Sequence, residues 1–147
     1  MRKVKQKGTS TVEFAMLLPL LLLLIFTISE LGIMFYRLNA LTKSVDIAAR
    51  YLSDKSDNKT NTATDLTNAK NLAVYGAITT GTAIVPNLTP ANIVVTYPDS
   101  QHVQVAVTYD AYLILGGTLN AFMKLIGGSI DNDFMTLYAT SVMRFAQ

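Results

Sequence analysis

Cysteine is absent from these 147 residues, which excludes disulfides, a lipid-bearing cysteine, a thiolate metal site and a cysteine nucleophile. In an exported chain it also removes the usual staple of small extracytoplasmic domains. Histidine occurs once, at His102. One imidazole makes no recognisable His-based metal site, and a Ser-His-Asp set would have to be assembled around it with no nucleophile-elbow motif present. His102 is expected at the surface, at the start of a strand. No Walker or dinucleotide glycine motif occurs. Asp131 and Asp133 flank Asn132 after Gly127-Gly128, where turn formation accounts for them. The sequence thus points away from an enzyme, and no cofactor, no metal and no small-molecule substrate are expected.

Positive charge is scarce beyond the first residues. Of 12 Lys and Arg, Arg2, Lys3, Lys5 and Lys7 lie at the start, leaving eight against ten Asp and Glu from Thr9 onward, a side-chain charge of −2. No basic stripe is left for nucleic acid, and no nucleic-acid partner is expected.

Charge is missing altogether from Phe14 to Ser29, and apolar character resumes after Glu30. As a helix, Phe14 to Tyr36 would run about 34 Å at ~1.5 Å per residue, enough for a bilayer core of about 30 Å. The rest of the chain is too short to bury a segment apolar on every side, so a lipid bilayer is its expected surrounding. The basic residues before it place its N-terminus in the cytoplasm. A secretory signal fits less well, because the run exceeds the usual apolar length and offers only Thr27-Ile28-Ser29 as a small-residue cleavage site.

Glu13 and Pro19 set this stretch apart from a plain apolar helix. Glu13 stands at the start of the run. It either lies in the headgroup layer at little cost or enters hydrocarbon, where a carboxylate is costly unless paired or protonated and is functional by default. Pro19 removes one helical donor and usually bends the helix, which membrane helices tolerate when the freed carbonyl is satisfied otherwise.

The pattern Gly8, four residues, Glu13, Phe14, then an unbroken apolar helix resembles the processing site of type IV prepilins. The fuller run GTSTVEFAMLLPLLLLLIFTISELG resembles the TadE-like minor pilins and pseudopilins of the Tad (Flp) pilus system, matching in VEFA, Pro19, Glu30 and Gly32. The resemblance implies that a prepilin peptidase cuts between Gly8 and Thr9. Glu13 then becomes the fifth residue of the mature chain, the position that the family uses in filament packing, and faces the new Thr9 amine. The implied partners are the prepilin peptidase, other pilin or pseudopilin subunits and an inner-membrane assembly platform. The implied location is the bacterial inner membrane, single-pass, with the C-terminal domain periplasmic and the subunit entering a pilus or a related secretion pseudopilus. A binding module held permanently in the membrane with its leader uncut is the alternative.

Past the apolar run, Leu38, Leu41, Val45, Ala48 and Leu52 recur at alternating spacings of three and four, while Arg37, Lys43, Asp46 and Arg50 take other faces. The spacing predicts one helix from about Val12 to Leu52, whose seam packs against the chain's own domain, the favoured partner, or against partner subunits. Residues 53 to 65, SDKSDNKTNTATD, read as a solvated linker. Asp54, Ser56, Asn58 and Asp65 echo calcium-loop spacing, but Lys59 stands where a Gly is needed and Asp65 where a Glu is needed. Residues 66 to 79 read as a second helix capped by Thr64 or Asp65 and ended by Gly81, with Leu66, Ala69, Ala73 and Ala77 on one face. A loop with Pro86 and Pro90 follows. Ile93 to Tyr97, His102 to Asp110 and Phe134 to Phe145 read as strands, with a helical turn or short helix between Gly116 and Gly128. The expectation is an α+β, pilin-like chain: a leader 1–8, a helix 9–52 with its membrane part at about 14–36, and an extracytoplasmic head 53–147 with a short helix and a small antiparallel sheet.

Overall fold

A computed structural model of the chain describes residues 9–55, 61–113 and 134–145, with positions 116, 124, 127 and 128 between them. Gly8, Ser56, Asn58, Lys59, Asp131 to Asp133 and most of the expected turn between Gly116 and Gly128 lie outside the described residues.

The first helix, α1, runs unbroken from Thr9 to Lys55, a rod of about 70 Å. Pro19 lies inside it without ending it. In the second half the predicted seam is the core: Leu41, Val45, Ala48 and Leu52 are fully buried, Ala49 joins them, and Leu38 packs partly against them. The partner is the chain's own domain, the favoured of the two expected, for both α2 and the sheet lie on this face. A fully buried Leu or Val contributes about 1.5–3 kcal/mol relative to exposure, so the seam is the main anchor of the head.

The second helix, α2, spans Ala63–Tyr75, earlier than the predicted 66 to 79 at both ends. Thr62, not Thr64 or Asp65, is the N-cap. Its hydroxyl accepts from the Asp65 amide at 3.2 Å while its own amide donates to the Asp65 carboxylate at 3.0 Å, a reciprocal box that satisfies two orphan donors. Gly76, not Gly81, ends the helix, in the left-handed region at φ 68° with its amide bonded to the Leu72 carbonyl at 3.0 Å. A side chain there would be strained. Ala69 and Ala73 are buried against α1, where small side chains let the two backbones approach.

The sheet has the order β1-β2-β3, all antiparallel. Strand β1, Ile93–Asp99, and β2, His102–Tyr112, form a hairpin whose register shifts between Thr96 and Asp99. Pro98 lies in that interval and has no N–H to give to the ladder. Strand β3, Phe134–Arg144, pairs with β2 without a shift from His102↔Arg144 to Tyr112↔Phe134. The alternation of β2 is the predicted one. Val103, Val105, Val107 and Tyr109 are buried, and the Tyr109 hydroxyl donates to the Pro86 carbonyl at 2.7 Å, which satisfies the polar end of a buried ring. The inner face, with Leu137 and Ala139 of β3, lies on α1.

Candidate functional site: the exposed apolar half of α1

Residues 10–29 of α1 are exposed except for half-buried Leu23. Met16, Leu20, Phe14 and Ile28 each show more than half of their surface. An aqueous surface of this kind would be an aggregation site; in lipid it is the expected lining. The two hydroxyls deepest in the run are already satisfied, since Thr27 donates to the Leu23 carbonyl at 2.8 Å and Ser29 to the Ile25 carbonyl at 2.9 Å. That local bonding removes much of the cost of placing them in hydrocarbon.

Glu13 is exposed on the second turn of α1. Thr9 precedes it by one turn and so stands on the same helix face. Phe14 and Pro19 are exposed as well. Glu30 stands apart from this group, about 25 Å further along the axis, and is 6% exposed. Met34, one turn on, is buried with it, so the head covers one face of the helix from Glu30 onward. The membrane part expected at 14–36 is therefore bare on all sides only to Ser29, because hydropathy registers composition and not which face a later domain covers. Gly32 is open: a Cβ built there meets nothing within 4 Å, so nothing in the chain's own packing requires a glycine.

The head is tied to α1 by contacts that sequence reasoning missed. Arg37 Nη1 donates to the Tyr112 carbonyl at 3.2 Å, Ser53 Oγ donates to the Arg144 carbonyl, and Asn61 Nδ2 donates to the Leu52 carbonyl at 2.8 Å. Asn61 in turn accepts from the Tyr97 hydroxyl at 3.1 Å. Burial first, and then the Asp65 charge, pushes the Tyr97 phenol above its usual range. Arg37 at the end of the apolar run was the one available signal; the other ties join residues too far apart in sequence to be paired by spacing.

Of the residues considered for calcium, Ser56 and Asn58 lie outside the described residues. Asp54 belongs to the last turn of α1, and the Asp65 carboxylate accepts from the Thr62 hydroxyl at 2.6 Å and from its amide, which together hold it below the usual carboxylate range. Among the described residues, no three of His, Asp and Glu gather where a metal could be held. His102 is half-exposed at the hairpin turn, its Nδ1 2.8 Å from both oxygens of Asp99. Asp99 also accepts from the Gln101 amide at 2.7 Å, and these bonds, the amide first, lower its pKa. The pair closes a turn.

An apolar helix left bare at one end and built into an α+β head at the other is a pilin-like arrangement. The family model described as TadE-like protein matches residues 8–50, which takes in the bare segment and most of the seam. No curated protein and no solved structure matches the chain. Over residues 8–50 the chain is similar to the TadE-like protein family.

Proposed function

We propose that the chain is a minor pilin-like structural subunit, anchored in the bacterial inner membrane by α1 with its head in the periplasm. It is matured by a prepilin peptidase after Gly8 and is used in assembly of a Tad/Flp-type pilus or a related secretion pseudopilus. On this reading residues 1–8 are the leader, the first half of α1 is membrane anchor and assembly helix, and the head is extracytoplasmic. The observation that carries it is the continuity of α1, bare and apolar below Glu30 and buried in the head above it, on a segment matched by the TadE-like family model. Such a helix can leave lipid for a helical bundle without unfolding the head. Cleavage after Gly8 creates an amine on Thr9 one turn from Glu13, and an α-amino group of pKa about 7.7–8.0 is largely protonated near neutrality. Pairing of that amine with Glu13, within one chain or between neighbours, offsets the cost of holding a carboxylate where lipid headgroups are excluded.

Intact mass of the protein from cells with and without a prepilin peptidase tests the reading. The expected result is a chain beginning at Thr9 only when the peptidase is present, and its loss in a Gly8→Val variant, whose side chain obstructs close approach of the peptidase to the backbone. A mass that includes residues 1–8 in both strains would instead favour the uncut, permanently anchored module.

A further inference from the structure

Between Glu30 and Arg37 the two sides of α1 differ. Glu30 and Met34 are buried on one side, whereas Phe35 is 65% and Tyr36 71% exposed on the other. The end of β2 reaches the same level: the Arg37 guanidinium holds the Tyr112 carbonyl at 3.2 Å, and the Tyr112 side chain is 60% exposed. Three exposed aromatic rings and an arginine thus ring the foot of the head, where the bare apolar helix ends.

We infer that this collar of Phe35, Tyr36, Arg37 and Tyr112 is a phospholipid-binding surface, which seats the foot of the head in the headgroup layer of the bilayer that α1 crosses. The inference rests on the membrane-anchored reading above. The depth of the helix supports it from the opposite end. With Glu13 at the inner edge of the hydrocarbon, a span of about 20 residues ends near Ile33, just below the collar. Aromatic rings with a polar edge prefer this layer. The bond to Tyr112 uses one of the five N–H donors of Arg37, which leaves capacity for a lipid phosphate. Above the collar the exposed side of α1 turns polar at Asn39, Thr42 and Lys43, as it should on leaving lipid.

The head has a direction relative to this surface. Ser53 meets Arg144, which pairs with His102, while Arg37 meets Tyr112, so β2 runs from the far end of the head to its foot. Val142, 51% exposed, pairs with Gln104 and stands about 26 Å up the sheet from Tyr112.

The chain contains no tryptophan, so a single introduced indole reports its own depth. The full-length protein, carrying Tyr112→Trp, Val142→Trp or Leu21→Trp, is reconstituted in phosphatidylcholine–phosphatidylglycerol vesicles with nitroxide on the headgroup or at mid-chain. The Tyr112→Trp variant should lose most of its emission to the headgroup label and little to the mid-chain label. Leu21→Trp should show the reverse, and Val142→Trp should respond to neither label while being quenched by aqueous iodide. If Tyr112→Trp is unquenched by either lipid label while Leu21→Trp is quenched, the head stands clear of the membrane, the collar awaits a protein neighbour instead, and the inference fails alone. If Leu21→Trp is unquenched, the membrane-spanning reading and the inference fail together. Unchanged circular dichroism in all three variants excludes misfolding as the cause.

Discussion

Ser141 Oγ donates to Asp46 Oδ1 at 3.1 Å, joining the last strand to the first helix across 95 residues of sequence. Asp46 also lies 3.8 Å from Arg50, but both of those side chains are well exposed, and such pairs contribute little. The hydrogen bond is part-buried and to a carboxylate, so Ser141→Ala should destabilise the head by about 0.5–1.5 kcal/mol. Arg50→Ala should change it by less than about 0.5 kcal/mol. Thermal unfolding of the full chain in micelles, followed by near-ultraviolet circular dichroism, separates the two; equal effects would mean that the exposed ion pair contributes as much as the strand-to-helix bond.

The cap of α2 carries a pH signature. Asp65 has its native pKa lowered from 3.8, first by the Thr62 hydroxyl and then by the Thr62 amide. Because the folded value lies below the unfolded one, the stabilisation is complete above the unfolded value and is lost as pH falls through the folded one. Asp99 has the same sign. Amide exchange in the first turn of α2 should therefore speed up relative to its pH-corrected intrinsic rate only below the ordinary carboxylate range. Asp65→Asn should abolish that step, and Thr62→Ala should cost about 0.5–2 kcal/mol at neutral pH. An acid step that persists in Asp65→Asn would assign it to Asp99 or to the rest of the head.

Glu13 lies on bare helix, away from every contact of the head. Glu13→Gln should accordingly leave membrane insertion, cleavage and unfolding of the head unchanged, while copurification with pilus or pseudopilus components falls. Recovery of wild-type amounts of partners with the Gln variant would show that Glu13 is an interfacial residue with no role in charge pairing.

Gly32 has open space where its side chain would be. Gly32→Ala should leave the head intact and favour α1 by up to about 1 kcal/mol through helix propensity. A loss of assembly in that variant, with unfolding unaltered, would locate a close helix–helix contact at this position, since small residues permit such approach in membranes.

What could be read from the sequence follows from periodicity. The seam from Leu41 to Leu52 and the alternation of Val103, Val105 and Val107 each place one apolar face on one core, and both patterns are local. The ends of α2 were legible in principle, because Thr62 and Asp65 stand three apart as a capping pair and Gly76 precedes Gly81. The run of Ala77 and Ile78 beyond Gly76 prolonged the apparent helix. Tertiary ties such as Arg37 to Tyr112, and the burial of Glu30, have no local pattern to announce them. Gly8 and the Thr9 side chain lie outside the described residues, so the cleavage site rests on sequence and family resemblance.

Because α1 has no break between Glu13 and the turns that Leu41 and Leu52 lock into the head, the protein has a single axle. Rotating the lower helix by some angle swings the outer face of the sheet, with Tyr138 and Val142, through the same angle. If Glu13 pairs with the Thr9 amine as proposed, the compass bearing of the head is set at the opposite end of the molecule, by the direction in which Glu13 finds that counter-charge. Adding one residue between Glu13 and Ser29 would raise the head by about 1.5 Å and turn it by roughly 100°, so an insertion that leaves both halves well folded should still point the head the wrong way.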